Sequence, residues 1–189
     1  MKKIAIMASG NGSNAENIIQ YFRSGEMAEV VLILSNNKDA YVMQRAKNHG
    51  ILAIVFTAKQ MNESNLLIDL LQISHIDYIV LAGFLLKIPE SILQLFPDRI
   101  INIHPALLPK YGGKGMFGMH VHEKVIEEKE TESGITIHYV NEKYDEGQII
   151  FQARCDILPS DTPEMLAQKV HELEYRYFPE VIEKVVLGE

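Results

Sequence analysis

The sequence contains one cysteine, Cys155, and no tryptophan among its 189 residues. A single cysteine excludes an internal disulfide, which fits a reducing compartment. No apolar stretch reaches the roughly 20 residues that a membrane-spanning helix needs. The apolar run at residues 4–8 ends at Ser9-Gly10, too early for a signal peptide. We therefore expect a cytoplasmic protein without a membrane segment.

Positive charge is also scarce, because 18 Lys and Arg against 25 Asp and Glu give a formal net charge of -7. An acidic surface does not attract polyanions, so we expect small-molecule substrates and no nucleic-acid partner. The composition, 47% hydrophobic and 23% charged, is that of an ordinary globular protein. The length suits a single domain over residues 1–189. Monomer and homodimer are both compatible with these features.

Short apolar runs alternate with segments of helical spacing over the first hundred residues. This alternation predicts an α/β fold, with an open, mainly parallel, twisted sheet and helices on both faces in a Rossmann-like arrangement. One helix is expected at residues 63–74. The pattern then changes to a mixed C-terminal part, with strands at residues 134–140 and 148–157 and a helical stretch at 162–187. In that stretch we expect Pro163 near the start and a break or kink at Pro179.

A glycine-rich turn, Gly10-Asn11-Gly12-Ser13-Asn14-Ala15, follows the first expected strand and opens a helix. Backbone N–H groups at such a helix N-terminus bind anions, which makes the turn a candidate phosphate site. The alternative is a plain turn with Ser13 or Asn14 as the N-cap. The spacing also fits a loose dinucleotide fingerprint, but the second strand lacks the acidic residue that would hold a ribose.

Asn102 and His104 lie two residues apart at the carboxyl end of an apolar strand, so their side chains project to the same side. Open α/β sheets bind ligands at that edge. An amide N–H and an imidazole can stabilise the oxyanion and move the proton when an amine attacks a formyl carbon. The alternative is that His104 only bonds to backbone. A carboxylate such as Asp145 would favour charged His104, but spacing alone does not bring the two together.

Four segments, in this order, resemble a known family: Ser9-Gly10-Asn11-Gly12-Ser13-Asn14, Val80-Leu81-Ala82-Gly83-Phe84, Asn102-Ile103-His104-Pro105-Ala106-Leu107-Leu108-Pro109 and Tyr144-Asp145-Glu146-Gly147. The chain resembles the phosphoribosylglycinamide formyltransferases, folate-dependent enzymes of purine synthesis, over most of its length. The resemblance implies transfer of the formyl group of 10-formyltetrahydrofolate, a cosubstrate, to the amine of 5'-phosphoribosylglycinamide. It implies no metal.

The resemblance also implies roles for single residues. Asn102 and His104 would polarise the formyl group, with His104 as proton donor, and Asp145 would raise the pKa of His104. Glu174 would bind the glycinamide portion, while Lys110 and His138 are weaker candidates for neighbouring roles. The phosphate would be held by Gly12, Ser13 and Asn14. The folate pocket would be lined by Leu85, Leu86, Lys87, Ile88, Asn102, Val140 and Asp145.

Two features depart from the family pattern. No arginine lies between Arg45 and Arg99, so a folate contact that some members make through arginine must be lost or replaced. The segment at residues 111–119 is longer and richer in glycine than the short turn of many members.

Other functions remain open. A formyltetrahydrofolate hydrolase, or a formyltransferase acting on another amine, would share the same core. A transfer-RNA formyltransferase would carry a further C-terminal domain, and a nucleotide-binding module would lack the Asn102, His104 and Asp145 set. A metal site at His120 and His122, with His138 nearby in sequence, would have no clear carboxylate or cysteine partner.

Overall fold

A computed structural model describes residues 1–188, which contain seven strands and seven helices. The strands are β1 (Lys2–Met7), β2 (Ala28–Ser35), β3 (Leu52–Val55), β4 (Tyr78–Leu81), β5 (Ile100–His104), β6 (Glu132–Tyr139) and β7 (Ile149–Asp156). The helices are α1 (Ser13–Phe22), α2 (Val42–Asn48), α3 (Ala58–Glu63), α4 (Leu66–Ile73), α5 (Glu90–Leu95), α6 (Met119–Glu127) and α7 (Pro163–Leu187).

The strands follow one another across the sheet in the order β3-β2-β1-β4-β5-β6-β7. Strand β1 pairs in parallel with β2 and β4, and β2 pairs in parallel with β3. Strands β6 and β7 pair antiparallel. The expected α/β fold, with a mainly parallel sheet and a mixed C-terminal part, is confirmed.

The chain divides into two compact units, and the first comprises Met1–Ile101 together with residues 182–188. Its centre is β1, where Ile4, Ala5, Ile6 and Met7 are fully buried. A parallel strand covered on both faces needs such an unbroken apolar run rather than an alternating one. The expectation of one domain stays a prediction.

The second unit, Asn102–Val181, is built around the β6–β7 hairpin. The buried hydroxyl of Thr136 on β6 accepts the N–H of Leu108 at 3.0 Å and donates to the carbonyl of Ala106 at 2.7 Å. These bonds satisfy backbone groups that have no ladder partner at this point. They hold the segment that follows His104 against β6.

Two helical segments differ from expectation. The single helix expected at residues 63–74 is two helices, because the extended backbone of Ser64 separates α3 from α4, which begins at Leu66. Helix α3 starts earlier, at Ala58, after a capping box formed by Thr57 and Gln60. Helix α7 starts at Pro163 as expected, but it runs through Pro179 without a break. Phe178 and Val181, on either side of Pro179, are buried, and their burial offsets the lost hydrogen bond.

Within residues 1–188, none of the helices has both the length and the apolar character that crossing a membrane requires.

Candidate active site

Asn102, His104, His138 and Asp145 meet in the second unit. Strand β5 carries the first two and β6 the third, while Asp145 lies in the connection between β6 and β7. The carboxylate stands between the two imidazoles: its Oδ2 lies 3.6 Å from Nδ1 of His104, and its Oδ1 lies 3.6 Å from Nε2 of His138. These separations exceed normal hydrogen-bond lengths, so the carboxylate influences the rings through its charge rather than through hydrogen bonds. The three residues expected to act together are therefore close in space.

The ring of His104 is 4% exposed, and its two nitrogens have different surroundings. Nε2 lies 2.7 Å from the carbonyl oxygen of Tyr111, which can only accept, so Nε2 carries a proton and donates it there. Nδ1 faces Asp145 and is the nitrogen that gains or loses a proton. His104 thus makes the backbone bond of the alternative interpretation and still keeps one nitrogen available for chemistry.

Burial lowers the pKa of His104, because the charged ring loses water. The charge of Asp145 and the carbonyl of Tyr111 act to raise it, and burial outweighs them. The influence of Asp145 has the direction that the family resemblance implies, but the net shift is downward. At neutral pH Nδ1 is therefore mainly a base.

Asn102 is held by His138. Nδ1 of His138 lies 2.8 Å from the carbonyl oxygen of Tyr139 and donates to it. In the neutral ring Nε2 is then an acceptor, and the side-chain amide of Asn102 lies 3.0 Å from it. The amide of Asn102 consequently has a fixed orientation with its nitrogen toward His138.

Asp145 has a left-handed backbone with φ 55, a conformation that aspartate tolerates better than most residues. Its Oδ2 accepts the N–H of Gly113 at 2.9 Å. Burial acts to raise the pKa of Asp145, but His138, His104 and the Gly113 N–H together lower it below its usual value. The carboxylate therefore remains charged beside both histidines.

Glu174 on α7 is a carboxylate whose charge acts on several histidines of the second unit. Its Oε2 lies 2.9 Å from Nδ1 of His171, one turn earlier on α7. Its negative charge acts to raise the pKa of both His104 and His122. Lys110 instead donates to Glu130 at 2.6 Å, so its charge is paired.

The glycine-rich turn lies in the first unit, where Gly12, rather than Ser13 or Asn14, is the N-cap of α1. Gly12 has φ 73, and a Cβ at this position would lie 2.5 Å from Cβ of Val42. Both the backbone angle and the close packing therefore require glycine. The half-buried Ser13 and Asn14 occupy the first turn of the helix, and the N-terminal turn of a helix is where anions bind.

The candidate folate residues fall in both units. In the first unit the N–H of Leu85 donates to the hydroxyl of Ser9 at 3.0 Å, and the side chain of Leu85 is 48% exposed. Leu86 is half-buried, Lys87 is exposed and Ile88 is buried. In the second unit Val140 is half-buried. Their joint role in one pocket stays a prediction.

A metal site has little support from the histidines proposed for it. His120 is exposed beside Glu123, His122 is buried, and both ring nitrogens of His138 are engaged. Within residues 1–188, no three or more His, Cys, Asp or Glu side chains come together in a group able to hold a metal ion.

Three groups that contact the catalytic candidates are hard to predict from the sequence. The Gly113 N–H and the Tyr111 carbonyl act through backbone, which residue type does not reveal. The sequence makes His138 a weaker candidate, but its place in the apolar strand β6 indicates a buried polar group that needs partners.

Comparison with known proteins agrees with this fold. A family model described as formyl transferase matches residues 2–182. The chain therefore belongs to the formyl transferase family.

Within this family, the chain is similar to proteins named phosphoribosylglycinamide formyltransferase. It is 42% identical to the chloroplastic phosphoribosylglycinamide formyltransferase of Arabidopsis thaliana, over 96% of this chain and 64% of that protein. It is 38% identical to the Haemophilus influenzae phosphoribosylglycinamide formyltransferase, over 96% of this chain and 86% of that protein. The crystal structure of glycinamide ribonucleotide transformylase 1 from Symbiobacterium toebii has a TM-score of 0.90 and 32% identity, covering 100% of this chain and 89% of that chain. The chain thus spans less than two thirds of the length of the plant relative.

Proposed function

We propose that the protein transfers the formyl group of 10-formyltetrahydrofolate to the amine of 5'-phosphoribosylglycinamide, a step of purine synthesis. The observation that carries the proposal is the cluster of Asn102, His104 and Asp145, in which His104 is buried and the other two are half-buried. The names of the relatives support phosphoribosylglycinamide as the formyl acceptor. The choice of 10-formyltetrahydrofolate as the formyl donor rests on the family resemblance. We further propose that the protein acts in the cytoplasm, as a monomer or homodimer.

In the first step the amine of phosphoribosylglycinamide attacks the formyl carbon, and negative charge develops on the formyl oxygen. The amide nitrogen of Asn102 carries two protons, of which one faces His138. The other is directed to the formyl oxygen and stabilises the tetrahedral intermediate. Nδ1 of His104, neutral because of its lowered pKa, takes the proton that the attacking amine loses.

In the second step the carbon–nitrogen bond to the folate breaks. The folate nitrogen leaves with the electron pair of that bond and needs a proton, which His104 returns from Nδ1. Asp145, charged at neutral pH, stabilises the imidazolium between the two steps. His104 is thus base first and proton donor second, and it ends the cycle neutral.

The remaining candidates bind the two substrates. The N–H groups around Gly12, Ser13 and Asn14 would receive the phosphate at the start of α1. Glu174 would accept hydrogen bonds from the glycinamide portion. Leu85, Leu86, Lys87, Ile88 and Val140, with Asn102 and Asp145, would line the folate pocket.

The test is an assay of the purified chain with 10-formyltetrahydrofolate, with and without phosphoribosylglycinamide. We expect folate turnover only with the amine, and formylated amine as the product. Folate turnover without the amine would favour the hydrolase, and turnover only with a different amine would change the substrate. If a folded protein consumed no formyl-folate at all, the proposal would be wrong.

A further inference from the structure

Helix α2 contacts the glycine-rich turn at three consecutive residues. The N–H of Val42 donates to the carbonyl of Gly10 at 3.2 Å. The side chain of Val42 fills the space in which any Cβ on Gly12 would lie. Between Gly10 and Gly12, Asn11 is bound by Arg45 of α2. Nε of Arg45 donates to the Asn11 carbonyl at 2.9 Å, and Nη2 donates to Oδ1 of Asn11 at 2.8 Å. The conformation of the turn is therefore determined by contacts from α2 as well as by its own glycines.

The guanidinium of Arg45 makes further contacts that hold it in place. Its Nη1 donates to Glu16, and its plane lies over the ring of Tyr41 at 4.8 Å from the ring centre. Arginine presents donors in a rigid fork, so the contacts to Asn11 and Glu16 are made together. Lysine has a single charged nitrogen and cannot make the same three contacts. The arrangement thus depends on arginine rather than on positive charge alone.

The pair with Glu16 also changes the charge at the start of α1. Glu16 lies in the first turn, where a carboxylate competes with any bound anion for the positive end of the helix. Arg45 contacts Oε2 of Glu16, and Nε2 of His49 lies 3.2 Å from the other oxygen. The positive charge of Arg45 compensates the carboxylate and reduces its repulsion of a phosphate dianion.

We propose that Arg45 is a positioning residue for the phosphate of the amine substrate. It fixes Asn11, so that the N–H groups of the following turn stay aimed at the phosphate, and it neutralises Glu16. This inference rests on the proposed function, because it assumes that the turn receives a phosphate. It adds a residue outside the turn to the determinants of substrate choice.

The experiment compares the phosphorylated substrate with the same glycinamide riboside lacking the phosphate, in wild type, Arg45→Met, Arg45→Lys and Arg23→Met. The readout is the ratio of kcat/KM for the two substrates, with kcat and the KM for 10-formyltetrahydrofolate measured alongside. Arg23 is an exposed arginine at the end of α1 and serves as the matched charge control. Urea unfolding of each variant checks that it is folded.

For Arg45→Met we expect the ratio to fall by about tenfold, as loss of hydrogen bonds to a charged group implies. The effect should lie in the KM for the phosphorylated amine, with kcat and the folate KM near wild type. Arg45→Lys should recover only part, and Arg23→Met should match wild type. Adding Glu16→Gln to Arg45→Met should restore part of the ratio, since the uncompensated carboxylate is gone.

Two outcomes overturn the inference, and they are distinguishable. If wild type uses both substrates equally well, the turn does not read the phosphate, and the substrate part of the proposed function fails together with the role of Arg45. If wild type prefers the phosphorylated substrate and Arg45→Met keeps that preference in full, the role of Arg45 alone is wrong.

Discussion

The side-chain nitrogen of Asn102 lies 3.0 Å from Nε2 of His138, and the other ring nitrogen of His138 is bound to the carbonyl of Tyr139. His138 therefore fixes the orientation of the Asn102 side-chain amide on β5 relative to the backbone of β6. A buried amide that is free to rotate would spend part of its time with its oxygen toward the formyl oxygen, where it would repel the developing charge. The pair makes Asn102 and His138 one functional unit in the proposed reaction.

This unit predicts non-additive mutations. Asn102→Ala should lower kcat by about 10²–10³-fold, the usual cost of losing one oxyanion donor. His138→Leu should lower kcat by less, and the double variant should be no worse than Asn102→Ala, because the imidazole acts through the amide. Steady-state kinetics on the four proteins measures the coupling, with Asn62→Ala as an exposed control. Independent, multiplicative losses would contradict the role of His138.

Part of this site could be predicted from local rules. Strand alternation places Asn102 and His104 on the same side, and their position at the end of β5 fits the ligand edge of an α/β sheet. The mainly parallel sheet follows from the alternation of apolar runs and helices. These features depend on neighbours in sequence, which is why the pattern reveals them.

The approach of Asp145 to His104 does not follow from such rules. It depends on the pairing of β6 with β7 and on a left-handed residue, φ 55, in the connection between them. The two strands are expected from the sequence pattern, but the left-handed conformation of Asp145 is not, since Asp145 could equally occupy an ordinary turn before Gly147. In the sequence, only the family resemblance links the two residues. Pro179 shows the opposite case, in which burial of its neighbours overrides a strong local rule against proline inside a helix.

Asp145→Asn should separate the charge of Asp145 from its shape. Asparagine tolerates the same left-handed backbone and can still accept the Gly113 N–H. The carboxylate raises the pKa of His104, so its loss should lower that pKa further. Because His104 must be neutral to accept the proton, the acidic limb of the pH profile of kcat/KM should move to lower pH. Loss of the stabilised imidazolium should also reduce plateau turnover by about 10²-fold. An acidic limb that stays in place would contradict electrostatic coupling between the two residues.

Gly112→Ala should disturb Asp145 through steric contact rather than through a change of charge. A Cβ at this position would lie 2.5 Å from Cδ2 of Leu108 and 3.2 Å from Cβ of Asp145. Leu108 can relieve the first contact by repacking, whereas the second requires Asp145 to give by a few tenths of an ångström. We therefore expect kcat to fall, while overpacking costs about 1–3 kcal/mol of unfolding free energy. Gly25→Ala is the matched control, because its Cβ would meet only the Phe22 carbonyl at 3.6 Å. Kinetics and urea unfolding of both variants check the prediction, and unchanged kcat in a folded Gly112→Ala protein would contradict it.

His122 should make the stability of the protein depend on pH. Burial lowers its pKa from the usual 6.5, an effect that the charge of Glu174 only partly offsets, and among the described residues 1–188 its Nδ1 has no hydrogen-bond partner. The unfolded chain therefore binds a proton at higher pH than the folded protein does. By linkage, the free energy of unfolding decreases as pH falls from about 6.5 toward the lowered pKa.

His122→Leu removes this contribution, so its unfolding free energy should fall less between pH 7.5 and pH 5.5 than that of wild type. A residual decrease should persist, because the pKa of buried His104 is lowered as well. His120→Leu, at an exposed position two residues away on the same helix, should follow wild type. Urea unfolding at the two pH values gives the comparison, and equal losses in wild type and His122→Leu would show that His122 does not contribute.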